Sequence, residues 1–425
     1  LKVLVIGGGG REHALCWKLA QSQNVYKIYC APGNAGTAQV AENVPIPVTD
    51  IENLRLFAEH QNVDLTVVGP EVPLIHGIVD AFEAKGLRIF GPSAEPAQLE
   101  GSKVYAKELM QRGGIPTAPF AIFDDPNVAR DYLKAQTYPI VVKADGEAAG
   151  KGVTVAKTYE EAADAVHRMM EARVFGASGD RVVVEECLTG EEVSVMAFVD
   201  GETVVPMMAV QDHKRVFEGD AGPNTGGMGA YSPVPSAPIM VVKDIKRRIL
   251  DPAVAAIRET GIPYRGILYA GIMLTRNGPY CLEFNCRLGD PETQVVLPLL
   301  ETDLATILNA VVDVELENVP VKFASRSALC VVLASAGYPG EYETGKPISG
   351  LDDAGKLDAV ALFHAGTAKS ERGEIVTAGG RVLSVTATGE HFHEAHERCY
   401  AAVQKVSFEG VHYRRDIGHR ALRTD

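Results

Sequence analysis

The 425-residue chain has one tryptophan, seven scattered cysteines and no apolar run approaching the roughly 18 residues that cross a bilayer. A transmembrane helix is therefore not expected. No Cys-x-x-Cys occurs and Cys281/Cys286 is the only close pair, which disfavours a disulfide framework or zinc site and points to reduced thiols in a cytoplasmic protein. Excess positive charge is also missing: 41 Lys and Arg face 55 Asp and Glu, a net charge of −14. That excludes the broad basic surface with which proteins neutralise nucleic-acid phosphates. It leaves open small phosphorylated ligands, which need only a few cations and backbone N–H groups. No internal repeat or low-complexity segment is present. Lys2–Ile6 followed by four glycines reads as a buried strand and lacks the layout of a signal peptide. The lone Trp17 reads as helix packing.

Glycine is plentiful, 42 residues, and clustered. The first hundred residues alternate β runs (Val3–Ile6, Lys27–Cys30, Leu65–Val68, Arg88–Phe90) with helical stretches (Arg11–Gln21, Ile51–His60, Ile75–Lys85). Such alternation predicts a parallel α/β sheet, with ligands at the carboxyl ends of its strands where the Gly-rich loops fall. From Ser102 a helix (Lys103–Arg112) leads to a small mixed lobe, with β runs at Ile140–Lys143, Val153–Ala156, Val182–Glu185 and Val193–Val199 and a helix at Tyr159–Met170. After Ser325 come apolar strands (Leu329–Ala334, Arg381–Thr386) and a helix (Phe392–Val406), read as a separate α+β unit. The expected domains are thus 1–101, 102–325 (with a lobe at about 120–189) and 326–425.

Four segments carry chemistry. Gly7–His13 lies between a strand and a helix, where backbone N–H groups bind anions. Its spacing fails a dinucleotide fingerprint, because Glu12 stands where the third glycine belongs, and a phosphate monoester fits better. Gly146–Val153 is a glycine-rich β–loop–β flap without the Ser/Thr of a Walker loop, suited to closing over a triphosphate with Lys143 and Lys151 supplying charge. In Cys281–Arg287, period 2 puts Glu283, Asn285 and Arg287 on one face and Leu282, Phe284 and Cys286 on the other. Glu283 and Asn285 are hard oxygen donors suited to Mg²⁺ carrying substrate phosphates, with Arg287 beside them to stabilise a phosphoryl group. Gln211–Arg215 and Gly222–Pro233 form a long glycine-rich loop region, read as substrate-binding. His391, His393 and His396 read as helix-surface histidines.

Together, Gly7–His13, Pro32–Gly36, Gly69-Pro70-Glu71, Lys143–Gly146, Ala149–Val153, Gln211–Arg215, Gly222–Pro233 and Leu282–Gln294 resemble the glycinamide ribonucleotide synthetases, a family of ATP-grasp ligases. The resemblance covers nearly the whole chain. It implies an N-terminal α/β domain, a central ATP-grasp domain with an inserted flap lobe and a C-terminal α+β domain. It also implies ligation of glycine to 5-phosphoribosylamine through glycyl phosphate, with ATP as co-substrate, Mg²⁺ or Mn²⁺ as cofactor and a monomer or weak dimer in the cytoplasm. By the family pattern Glu283 and Asn285 hold the metal, and Arg287 and Lys143 are catalytic. Lys103, Lys143, Gly150, Lys151, Gly152, Glu185, Glu186, Leu188 and Glu192 bind ATP. Gly9, Gly10, Arg11, Glu12, Asp212, Lys214, Gly226, Gly227, Arg287, Asp290 and Pro291 bind the other substrates. The pattern departs from the family's usual residues at Gly8 and Glu147. Ile267–Leu274 offers no further acidic ligand.

Overall fold

In a computed structural model of the chain, residues 1–146 and 152–423 are described. The N-terminal strands, rich in Val, Ile and Leu, are buried on both faces and pair in parallel. Glu42–Asn43, Lys27–Pro32, Lys2–Gly7, Leu65–Val68 and Ile89–Phe90 lie in that spatial order. Their carboxyl ends bring together Gly7–Gly10, Pro32–Gly36 and Gly69–Glu71. The expected helix Ile75–Lys85 is instead two short helices, Glu71–Ile75 and Ile78–Glu83. They break at Gly77, whose φ of +85° no helix accepts.

The inserted lobe is an antiparallel sheet in the order Phe120–Phe123, Val182–Glu186, Ile140–Ala144, Val153–Ala156. Helices Pro126–Lys134 and Tyr159–Val166 bury Ala129, Leu133, Ala162 and Val166 against Val142 and Val184. Asp125 and Thr158 cap them with side-chain oxygens. The second helix, expected to reach Met170, changes at His167 into a π turn, His167–Glu171.

A central antiparallel sheet runs Val204–Pro206, Glu191–Asp200, Arg265–Thr275, Gly278–Asn285. Alternate residues of Glu191–Asp200 feed two different cores, Val193, Val195, Ala197 and Val199 one, Met196 and Phe198 the other. A fourth sheet crosses residue 325. Gln211–Asp212 pairs with Gly229–Ser232, Gly229–Ser232 with Ser327–Ala334, and the sheet continues through Arg381–Gly389 to Val360–His364. The region expected to be a long loop therefore holds four strands, including the hairpin Arg215–Phe217/Ala221–Asn224. All seven cysteines are free, and His393 pairs with Glu397 on an exposed helix face.

Candidate active site

At the first turn, Gly9 is the N-cap of helix Gly10–Leu19, and its N–H donates to Glu12 Oε2 at 2.6 Å. Glu12 is buried and also pairs with Arg11, whose Nη1 donates to Leu288 O at 3.0 Å. The Glu12 carboxylate reaches across to the next strand end, where a Cβ on Gly69 would lie 2.0 Å from its Oε1. Asp290 approaches the same turn, with its Oδ2 3.4 Å from the Arg11 N–H. Burial would raise the Asp290 pKa, but Arg381 and Arg11 outweigh it and hold the carboxyl low. Arg381, from the C-terminal segment, donates to the carbonyls of Gly226 and Asp290, both at 2.7 Å. Gly226 N–H donates to Tyr338 Oη and Gly227 N–H to Thr225 Oγ1, while Pro291 O accepts from Gln294 N–H. Gly9–Glu12, Gly226–Gly227 and Asp290–Pro291 thus meet in one place. Arg381 had no place in any recognisable motif.

On the lobe side, Lys143 bonds Glu185 and donates to Leu282 O at 3.3 Å. Lys107 bonds the same Glu185 from helix Lys103–Arg112. One buried carboxylate therefore sits between two buried ammonium groups. Burial, reinforced by Lys143, lowers the Lys107 pKa against the pull of Glu185. Lys103, one helical turn before Lys107, donates to Gly146 O at 3.1 Å. Asp145 ties the end of strand Ile140–Ala144 to that helix. It accepts from Ser102 Oγ at 2.7 Å and the Val104 N–H at 2.9 Å, at the start of that helix, and pairs with Arg181. Gly152 is buried beside this strand end, whereas Gly150, Lys151 and Glu147 lie outside the described residues. Glu186 is exposed and Leu188 half-buried at the turn into Glu191–Asp200, and Glu192 bonds Lys214.

The strand Gly278–Asn285 departs from strict alternation. Gly271 pairs with Glu283 but Ile272 with Cys281, so Leu282 is a β-bulge. This half-exposes Leu282 instead of placing it with buried Phe284 and Cys286, and Lys143 bonds the Leu282 carbonyl. Glu283, Asn285 and Arg287 remain on one side. Burial pushes the Glu283 pKa up, but Lys214, Lys143, Lys103 and Arg287 together outweigh it and keep the carboxyl below its usual range. Those four cations come from separate parts of the chain. Asp212 behaves oppositely: burial, with Glu292 and Glu192, pushes it up to about 7 despite Lys214. Arg287 does not point freely outward. Its Nε donates to Glu71 Oε2 at 3.1 Å and its Nη2 to Glu100 Oε1 at 2.7 Å.

As a metal site, the pair fits a hard cation shared with a ligand. Glu283 is held ionised, and Asn285 adds an amide oxygen. Among the described residues no cluster of three or more His, Cys, Asp or Glu would hold an ion unaided. Such a donor set suits Mg²⁺, which keeps water and substrate phosphates as its other ligands.

A parallel N-terminal sheet, an inserted antiparallel lobe carrying Lys143 and a Glu-x-Asn strand opposite it define an ATP-grasp ligase. Residues 1–100, 101–293 and 328–420 match the N domain, the ATP-grasp (A) domain and the C domain of phosphoribosylglycinamide synthetase. The chain belongs to that family. It is 51% identical over 417 residues to phosphoribosylamine–glycine ligase of Caldanaerobacter subterraneus, covering 98% of this chain and 99% of that protein. It is 50% identical to the human trifunctional purine biosynthetic protein adenosine-3, covering 99% of this chain and 42% of that one. The crystal structure of phosphoribosylamine–glycine ligase from Thermotoga maritima superposes with a TM-score of 0.86 at 37% identity, covering 98% of this chain and all of that one. Biotin carboxylase from Campylobacter jejuni, 17% identical with a TM-score of 0.75 over 97% of this chain and 92% of that one, shares the fold.

Proposed function

We propose that this chain joins glycine to 5-phosphoribosylamine at the expense of ATP, giving glycinamide ribonucleotide, ADP and phosphate in purine synthesis. Glycine's carboxylate is a poor electrophile. Transfer of the γ-phosphoryl group makes it glycyl phosphate, and the ribosylamine nitrogen then displaces phosphate. Such transfer depends on positioning and charge neutralisation more than on a protein base. The observation that carries this reading is the half-buried Glu283 carboxylate, held below its usual pKa range by Lys214, Lys143, Lys103 and Arg287.

In this reading Lys103 and Lys143 steady the nucleotide phosphates, and Glu186, Leu188 and Glu192 meet adenine and ribose. The Gly9–Glu12 turn takes the ribosylamine phosphate, while Glu12 and Asp290 face its hydroxyls and amine. Arg287, Asp212, Lys214 and the Gly226–Gly227 turn attend glycine and the acyl phosphate. Glu283 and Asn285 hold Mg²⁺ or Mn²⁺, which when bound supplies charge neutralisation to the transferring phosphoryl group. The seven free cysteines support a cytoplasmic location, and we propose a monomer or weak dimer. ADP release measured with each amino acid in turn, with and without fresh phosphoribosylamine, tests the assignment. Turnover is expected with glycine alone among them; release driven by bicarbonate instead overturns it.

A further inference from the structure

Glu100 ends a helix of the N-terminal domain, Ala94–Gly101, yet its side chain, 11% exposed, is spent on the metal strand. Its Oε2 accepts the Cys286 N–H at 2.9 Å and the Cys286 thiol at 3.3 Å. Its Oε1 accepts Arg287 Nη2 at 2.7 Å. The Asn285 amide has one orientation that satisfies its neighbours, with Nδ2 donating to Glu100 Oε1 at 3.3 Å and to the Phe284 carbonyl at 3.1 Å. One carboxylate thus gathers three consecutive residues, 285 to 287, through four donors.

An amide offers a cation its oxygen, never its nitrogen, so the orientation of Asn285 decides whether it can serve as a ligand. Left alone, the group gains little from either orientation. With Nδ2 taken by an anion on one side, Oδ1 must face the other way, where its neighbours are donors. An amide nitrogen turned toward the ion would present positive hydrogens to it. Groups that orient a ligand in this way typically govern metal affinity or activity by about 10-fold to 100-fold.

We propose that Glu100 is a positioning residue, which fixes the Asn285 amide with its oxygen toward the metal and clamps Arg287 beside it. This rests on the reading of Glu283 and Asn285 as metal ligands. Glu100→Gln preserves shape but replaces one accepting oxygen with a donor that faces donors. Calorimetry of ADP binding, with and without Mg²⁺, reads the effect apart from turnover. The variant is expected to bind MgADP about tenfold or more weakly while metal-free ADP binds as in the parent, and Glu100→Asp shows a smaller loss of the same kind. In an Asn285→Ala background, Glu100→Gln is expected to add little to the change in the ratio of MgADP to ADP affinity, because the amide it orients toward the metal is gone. A parental ratio of MgADP to ADP affinity in Glu100→Gln, or a full undiminished effect in the Asn285→Ala background, overturns the proposal. If Glu100→Gln does not fold, the same two outcomes are read from Glu100→Asp. Parental Mg²⁺ dependence in both Glu283→Ala and Asn285→Ala contradicts the ligand reading itself, a distinct result.

Discussion

Glu185 lies between Lys107 and Lys143, and that shared anion sets where both cations rest. Among the described residues, removing Lys107 leaves Lys143 as the one counter-ion of this buried carboxylate, which holds it more tightly and less available to phosphate. Lys107→Met is therefore expected to raise the KM for ATP roughly tenfold, about 1.4 kcal/mol, with the KM for ribosylamine little changed. Steady-state kinetics varying each substrate separates the two. Gly69→Ala is expected to do the reverse. A Cβ 2.0 Å from Glu12 Oε1 must push that carboxylate off the Gly9 N–H and distort the first turn. The KM for ribosylamine should rise roughly 10-fold to 100-fold with ATP binding intact, and a rise in the KM for ATP alone contradicts the role given to the turn. Several of these residues could be read before any fold was known. Glu283, Asn285 and Lys143 stood out because their spacing or loop context has few uses. Lys107 carries no such signal: it stands i,i+4 from Lys103 on one helix face, a relation that many solvated lysines share. Arg381 and Glu100 had no local signal, since their significance comes from neighbours about 90 and 186 residues away.

Among the elements, those with strong periodicity or dense apolar runs were readable, including the N-terminal strands and the helices Lys103–Arg112 and Ile51–Gln61. The strands hidden in 211–232 were not. They are two to four residues long, and their stability comes from distant partners. The hairpin Arg215–Phe217/Ala221–Asn224 illustrates this. Arg414, fully buried, pairs with Asp220 and Asp416 and donates to Arg215 O at 3.0 Å. Asp416 also accepts the Gly219 N–H, and Arg420 bonds Asp220. The end of the chain thus fastens a hairpin that directly follows Asp212 and Lys214. Arg414→Met removes the buried cation shared by two partly exposed carboxylates that keep other donors, and is expected to cost about 2 kcal/mol in urea unfolding, with earlier proteolytic cleavage in 215–224. Unchanged unfolding and cleavage in that variant exclude the fastening role.

For the molecule as a whole, the junctions between its parts depend on neutral histidines. His13 Nδ1, from the first helix, accepts the backbone N–H of His364 at 2.8 Å, at the end of a C-terminal strand, and Phe363 stacks edge-on against both His13 and Trp17. His213 accepts the Gly418 N–H at 3.3 Å, joining the central segment to the C-terminus. Burial depresses all three, His13 and His213 to about 3 and His364 to about 4, with neighbouring positive or imidazole groups adding to the first two. The unfolded chain binds these protons near pH 6.5 and the folded one resists them, so the stabilisation is complete above that pH and lost as pH falls toward the folded values. Asp212, raised to about 7, acts with the opposite sign across the upper part of the same window and cancels about one proton. The net uptake of about two protons on unfolding corresponds to roughly 3 kcal/mol per pH unit between pH 6 and 5. Denaturant unfolding across that range measures the slope. His364→Asn keeps the backbone donor to His13 but removes one titrating ring, so its slope should be shallower by about 1.4 kcal/mol per pH unit. An identical slope in that variant means that acid does not open the molecule at the seam between its first helix and its C-terminal sheet.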